Sequence, residues 1–202
     1  MMRFSLVDFG RDLPCVLILF SLLAAITTWD RDALMLVALC LVSLIVVAIL
    51  KRTLKHSRPR NSTYCREGAC GQLGVGIENR DDRFGMPSGH ATVSFAFFAF
   101  AGYVLVRHLR DNKQELNGWQ VALSWGVTVP LFVLTPMAIA YQRVFTRCHS
   151  VPQVLAGAVL GLVLGGAAVW LTMLDDERKG LSGAARDARF LERLMAAGEG
   201  HA

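Results

Sequence analysis

Five long stretches of this chain carry no Asp, Glu, Lys or Arg: residues 13–29, 33–50, 91–106, 116–142 and 151–174. At about 1.5 Å rise per residue, a helix of roughly 18 residues spans about 27 Å, close to the thickness of a bilayer's hydrocarbon core. The first two stretches are separated only by Asp30, Arg31 and Asp32 and predict a tight helical hairpin. The third is short. It extends backward through residues 84–90, apolar except at their end, so the span is predicted to begin near Phe84. Pro130 and Pro136 fall inside the fourth, where a membrane bundle can satisfy the freed carbonyls; a kinked or tilted span is expected. In the fifth, Gly157, Gly161 and Gly165 recur every four residues, a smooth stripe for close approach of another helix. The pattern predicts an all-α polytopic transmembrane bundle of about five spans over residues 1–174. A polar tail, 175–202, follows. Its charged start reads as a stop, after which Ser182 can cap a short amphipathic helix with Phe190, Leu191, Leu194 and Met195 on one face.

Composition agrees. Of 202 residues, 53% are hydrophobic and only 18% charged, which excludes disorder, and five cysteines are too few for a disulfide scaffold. The segment before the first span is of mixed charge (Arg3, Asp8, Arg11, Asp12) and a second span follows at once, unlike a cleaved signal peptide. The net charge of +5 would suggest nucleic acid in a soluble protein. Here the cations sit in loops between apolar runs, so the expected partners are the membrane and anionic lipid or phosphate, with no nucleic acid.

Five crossings put residues 1–12, 51–90 and 143–150 at one membrane face, with 12 of the 21 basic residues. That bias weakly marks the face as cytoplasmic, but subtracting cations that bind phosphate removes it. Three polar clusters share the face. Residues 51–59 (Lys-Arg-Thr-Leu-Lys-His-Ser-Arg-Pro) leave the second span, 84–90 (Phe-Gly-Met-Pro-Ser-Gly-His) open the third, and 142–153 join the fourth to the fifth. Each alone has a plain structural reading, as a stop-transfer cluster, a helix start or a loop. Together they suit phosphoryl transfer. Arg offers bidentate forks, Lys a point charge, and a Gly-containing helix start lets backbone N–H groups reach an anion. One His can attack and another protonate the leaving oxygen.

Lys51-x6-Arg58-Pro59, Pro87-Ser88-Gly89-His90 and Arg143-x5-His149 resemble, in order and spacing, the three-part signature of the type 2 phosphatidic acid phosphatase (lipid phosphate phosphatase) superfamily. The resemblance covers roughly residues 45–170 and implies a helical bundle with the active site at one face, no metal or other cofactor, and a phosphohistidine intermediate. It implies that His149 is the nucleophile and His90 the general acid, with Lys51, Arg58, Ser88, Gly89 and Arg143 holding phosphate oxygens. Two positions depart from the family pattern. Gln142 stands where Ser is usual, and Gln153 stands where an Asp is usual, one turn after the nucleophile.

Gln153 is expected to orient the His149 ring without the full charge of a carboxylate; Ser150-x-x-Gln153 also fits a capping box. A less basic His suits an easier leaving group. A diphosphate expels a phosphate monoester, with a second pKa of roughly 6, whereas a monoester expels an alkoxide. Residues 84–90 and Gln153 are similar to the dolichyl diphosphate phosphatase branch, which implies a polyprenyl diphosphate substrate, an endoplasmic-reticulum-type membrane and a luminal or exoplasmic site. The alternatives are a broad phosphatidate phosphatase and a silent lipid-phosphate-binding protein. Among other candidates, Cys65 and Cys70 can pair and Asn61 can be glycosylated on a luminal face. Glu78, Asp81, Asp82, His56 and His108 read as solvated surface, and Cys148 as packing.

Overall fold

The computed structural model describes residues 6–28, 30–59, 84–111 and 117–199. Asn61, Cys65, Cys70, Glu78, Asp81 and Asp82 lie outside them. The described chain is all-helical and forms a polytopic bundle: α1 (Leu6–Thr28), α2 (Arg31–Leu54), α3 (Gly89–Asp111), α4 (Gly118–Phe145) and α5 (Val151–Glu199). Among the described residues four helical segments are long and apolar enough to cross a membrane, Arg31–Leu54, Gly89–Asp111, Trp125–Phe145 and Val151–Lys179, and the apolar part of α1 is the shorter Pro14–Thr28. Their outer surfaces are apolar, with Phe20, Leu23, Ile45, Ile49, Leu134 and Val163 among the exposed side chains, as lipid contact requires.

The α1–α2 hairpin turns where expected. Asp30 caps α2, its carboxylate accepting from the N–H groups of Asp32 (3.1 Å) and Ala33 (3.4 Å), donors the helix itself cannot satisfy. Both prolines lie inside a continuous α4. The third span differs from expectation at its start. Residues 84–88 are not helical, and α3 begins only at Gly89, because Pro87 and the paired backbone described below hold the segment away from helical geometry.

The chain divides into two compact units, Met1–Gly166 and Ala167–Ala202. In the first, α3 packs against α1, α2 and α4 around a core of Leu17, Cys40, Val93, Phe97 and Ile139. Phe97, Phe98 and Phe132 meet edge-to-face at 5.3 and 5.5 Å between ring centroids. The glycine stripe of α5 lies on α3. A Cβ on Gly161 would stand 2.4 Å from the Thr92 carbonyl oxygen, and one on Gly165 would stand 2.9 Å from that of Ala96. Arg107 near the end of α3 pairs with the buried Asp32 at the start of α2. The two helices are therefore antiparallel, and the end of α2 meets the start of α3 at the opposite membrane face. In the second unit the tail differs from expectation. Residues 175–179 do not stop the helix; α5 runs on to Glu199 with Ser182 inside it, and Lys179 pairs with Asp175 one turn back at 3.1 Å.

Candidate active site

The three polar clusters are tied together through backbone. Lys55 ends α2 in the left-handed conformation (φ 47°), its N–H bonded to the Lys51 carbonyl, which turns residues 56–58 out of the helix. Ser57 then forms an antiparallel bridge with Phe84, and the Gly85 N–H donates to the His56 carbonyl at 2.8 Å. Thus the first cluster's tail is zipped to the second cluster's head.

The second cluster is held from below by α5. The Ser88 N–H donates to the Gln153 carbonyl oxygen at 3.0 Å, and the Ser88 carbonyl accepts from Thr92, starting α3. Gly157 admits that close approach, since a Cβ there would be 2.6 Å from the Ser88 carbonyl oxygen. The Ser88 hydroxyl is buried with no hydrogen-bond partner. Leaving such a donor unmade costs about 1–3 kcal/mol, a debt that an anion at the α3 N-terminus removes. Gly89 and His90 form the first turn of α3, both half-buried.

In the third cluster α4 ends at Phe145, and Arg147 takes φ 56° so that the chain doubles back; the His149 N–H bonds the Arg143 carbonyl at 3.1 Å. His149 is 3% exposed and Arg143 5%. The Arg58 guanidinium reaches the Cys148 carbonyl at 3.4 Å, joining the first cluster to the third. Burial first, and then the positive charges of Arg58, Arg143 and Lys51, push the His149 imidazole from its ordinary 6.5 down to about 2, against a smaller opposing effect of the Gly85 carbonyl. Three of the expected phosphate-holding cations therefore converge on the expected nucleophile, which stays a neutral imidazole. Its Nδ1 lies 2.8 Å from the Gly85 carbonyl oxygen. That oxygen can only accept, so Nδ1 carries the proton and Nε2 keeps the lone pair.

Gln153 does not fill the place expected for it at the ring. Its Oε1 accepts from the Ser150 N–H at 3.1 Å, the capping arrangement, and its Nε2 donates to the Ser57 carbonyl at 2.8 Å and faces His56 Nδ1 at 3.0 Å. The ring partner is Gly85, which Gln153 abuts; a Cβ on Gly85 would be 2.6 Å from its Oε1. His56 is exposed, as read from the sequence, and through Gln153 it also joins the network behind His149. His108 is exposed near the far end of α3. Cys148 is buried and, like Cys15, engaged in a disulfide, which removes it as a thiol nucleophile.

A neutral imidazole with three cations near it, beside an unpartnered buried hydroxyl and a helix N-terminus, at one face of a membrane bundle, is an arrangement suited to holding a phosphate group. A family model described as the PAP2 superfamily matches residues 32–176, from the start of α2 through all three clusters. The chain belongs to that superfamily, which implies a phosphatase acting on lipid phosphates. No curated protein and no solved structure matches it.

Proposed function

We propose that the protein is a metal-independent polyprenyl diphosphate phosphatase, releasing the terminal phosphate through a phosphohistidine. The observation that carries the reading is the His149–Gly85 pair. A backbone carbonyl orients the ring but, unlike a carboxylate, adds no full negative charge to stabilise the imidazolium. The nucleophile is correspondingly less basic and matched to a leaving group that departs readily.

In the first step His149 Nε2 attacks the terminal phosphorus. The phosphorus–oxygen bond breaks, and its electron pair leaves with the lipid monophosphate, which His90 protonates where a proton is needed. In the second step water attacks the phosphohistidine, the phosphorus–nitrogen bond breaks, and inorganic phosphate departs with His149 restored. Lys51, Arg58 and Arg143 offset the charge on the transferring group, and Ser88 and Gly89 offer a hydroxyl and a backbone N–H. The disulfide at Cys148, adjacent to the nucleophile, supports an active site on the oxidising, luminal or exoplasmic face. An endoplasmic-reticulum-type membrane follows from the dolichyl likeness.

The test is phosphate release by detergent-purified protein in excess chelator, from a prenyl diphosphate and from phosphatidate side by side. Faster turnover of the diphosphate is expected. Equal or faster turnover of phosphatidate overturns the substrate reading in favour of a broad monoester phosphatase, and silence on both leaves a lipid-phosphate-binding protein. Activity that chelator abolishes overturns metal independence.

A further inference from the structure

An apolar cavity of about 380 Å³ lies between α3, α4 and α5, within the size range of small-molecule sites. Its wall includes Phe95, Gly102 and Leu109 of α3, Trp125 and Pro136 of α4 and Leu162 of α5, and none of the described lining residues is charged. The helical register links it to the phosphate end. Phe95, Gly102 and Leu109 recur every seven residues along one face of α3, and Ser88, the residue just before the helix, stands seven before Phe95; seven residues are two turns, roughly 10 Å. On α4, Arg143 stands the same seven residues from Pro136. α5 follows both levels, with Gly157 on the Ser88 carbonyl and Gly161 on Phe95, where an added Cβ would be 2.9 Å from the Phe95 Cβ. Two faces headed by phosphate-holding residues thus continue downward as the cavity wall.

From this alignment we propose that the cavity receives the polyisoprenoid tail of the substrate whose terminal phosphate reacts at His149. The inference rests on the phosphatase reading above and deepens it. Depth selects the occupant. The wall starts roughly 10 Å below Ser88 and continues about 21 Å further, from Phe95 to Leu109. That carries it beyond the midplane of a hydrocarbon core about 30 Å thick. A fatty-acyl chain anchored at the active-site face ends near the midplane with its own leaflet, whereas a polyprenyl chain is long enough to occupy the whole length. Aromatic side chains at several depths, Phe95, Phe98, Phe132 and Trp125, offer flat surfaces to its double bonds.

The test combines position with chain length. The His149→Ala protein in nanodiscs is irradiated with a prenyl diphosphate carrying a photoreactive group at the far end of a long tail, and the adducts are mapped by peptide mass spectrometry. Adducts in α3 between Gly102 and Leu109 or in α4 near Trp125, chased by unlabelled long-chain but not short-chain prenyl diphosphate, are expected. Adducts on the lipid-facing side of α2, at Leu41, Ile45 or Ile49, or adducts that long-chain phosphatidate chases equally well, overturn the proposal. In turnover assays Gly102→Leu, which fills the middle of the cavity, should lower kcat/KM for the long-chain diphosphate by roughly tenfold or more and leave a short-chain diphosphate little changed. Leu109→Trp, at the deep end, should penalise only the longest chains and guards against misfolding of the first variant. Equal losses on short and long chains in both variants contradict the cavity assignment. If no lipid phosphate of any kind is hydrolysed by the unaltered protein, the phosphatase reading fails instead, while the adduct map still decides the tail site.

Discussion

The Nδ1 of His149 and the carbonyl oxygen of Gly85, 64 positions apart in sequence, lie 2.8 Å apart in the fold. The carbonyl is in place because Gly85 is clamped on both sides, by the His56 carbonyl on its N–H and by the Gln153 amide where a side chain would otherwise stand. A peptide carbonyl accepts a hydrogen bond and takes up no proton, so this partner selects a tautomer without creating an ion pair. Nε2 of His149 keeps its lone pair, and the charge state of the ring is left to burial and the surrounding cations.

The sign of the resulting pH behaviour follows directly. Burial and neighbouring cations both disfavour imidazolium, so the pKa moves below the ordinary 6.5, to about 2. Histidine nitrogen resonances of labelled protein should therefore show His149, assigned by its loss in His149→Gln, as a neutral ring with the proton on Nδ1 at pH 5. An exposed histidine is already protonated there. A ring that titrates between pH 6 and 7 contradicts this electrostatic account.

The two histidines should differ in their cost of removal. His149→Ala should abolish turnover and the trapped phosphoprotein together. His90→Ala should lower turnover of a phosphomonoester by the 10²–10⁴-fold typical of general acid catalysis, and that of a diphosphate much less, since its leaving group departs without a proton. Phosphoprotein persisting in His149→Ala excludes it as the nucleophile, and equal losses on both substrates for His90→Ala exclude a leaving-group role.

Much of this arrangement could be read from the chain. The uncharged run 33–50 sits inside Arg31–Leu54, and the repeat at Gly157, Gly161 and Gly165 is indeed a packing stripe. The boundary at 84–88 was less legible, because its apolar residues look like helix and only the tertiary pairing of Phe84 with Ser57 holds the segment out of helical geometry. The end of α5 was hidden for the opposite reason. Residues 175–179 are charged, yet charge at (i, i+4) spacing supports a helix as readily as it ends one. At Gln153, spacing alone allowed either the ring or the cap. The amide carries two donors that an Asp lacks, and that was the available signal that residue 153 also serves carbonyls elsewhere, here that of Ser57.

Gln153 itself supplies a third prediction. A carboxylate placed there meets the Ser57 carbonyl acceptor to acceptor, and it does not touch the His149 ring it would need to activate. Gln153→Glu keeps the volume and the cap on Ser150 but loses the donor, at a cost of about 1–3 kcal/mol. Activity toward diphosphate and monoester should fall together. A selective gain toward phosphatidate in Gln153→Asp overturns this, because it requires the carboxylate to strengthen the nucleophile.

The last prediction separates the packing of α5 from its catalytic consequence. An added Cβ at Gly157 would be 2.6 Å from the Ser88 carbonyl oxygen and 3.2 Å from the Ser88 nitrogen. These are backbone atoms, which cannot rotate away as a side chain could. Gly157→Ala must therefore shift the start of α3, and with it the Ser88 hydroxyl, Gly89 and His90. Gly165→Ala meets α3 further from the site, 2.9 Å from the Ala96 carbonyl oxygen, while Gly166 has nothing within 4 Å. Overpacking of this kind costs about 1–3 kcal/mol, so both Gly157→Ala and Gly165→Ala should lower the thermal midpoint in detergent, and Gly166→Ala should not. Only Gly157→Ala should also lower kcat well beyond its effect on stability, because it alone displaces a residue that faces the phosphate. Should Gly165→Ala lower kcat as much at matched stability, the loss is a general loosening of the α3–α5 contact, and the placement of Ser88 by Gly157 carries no special weight.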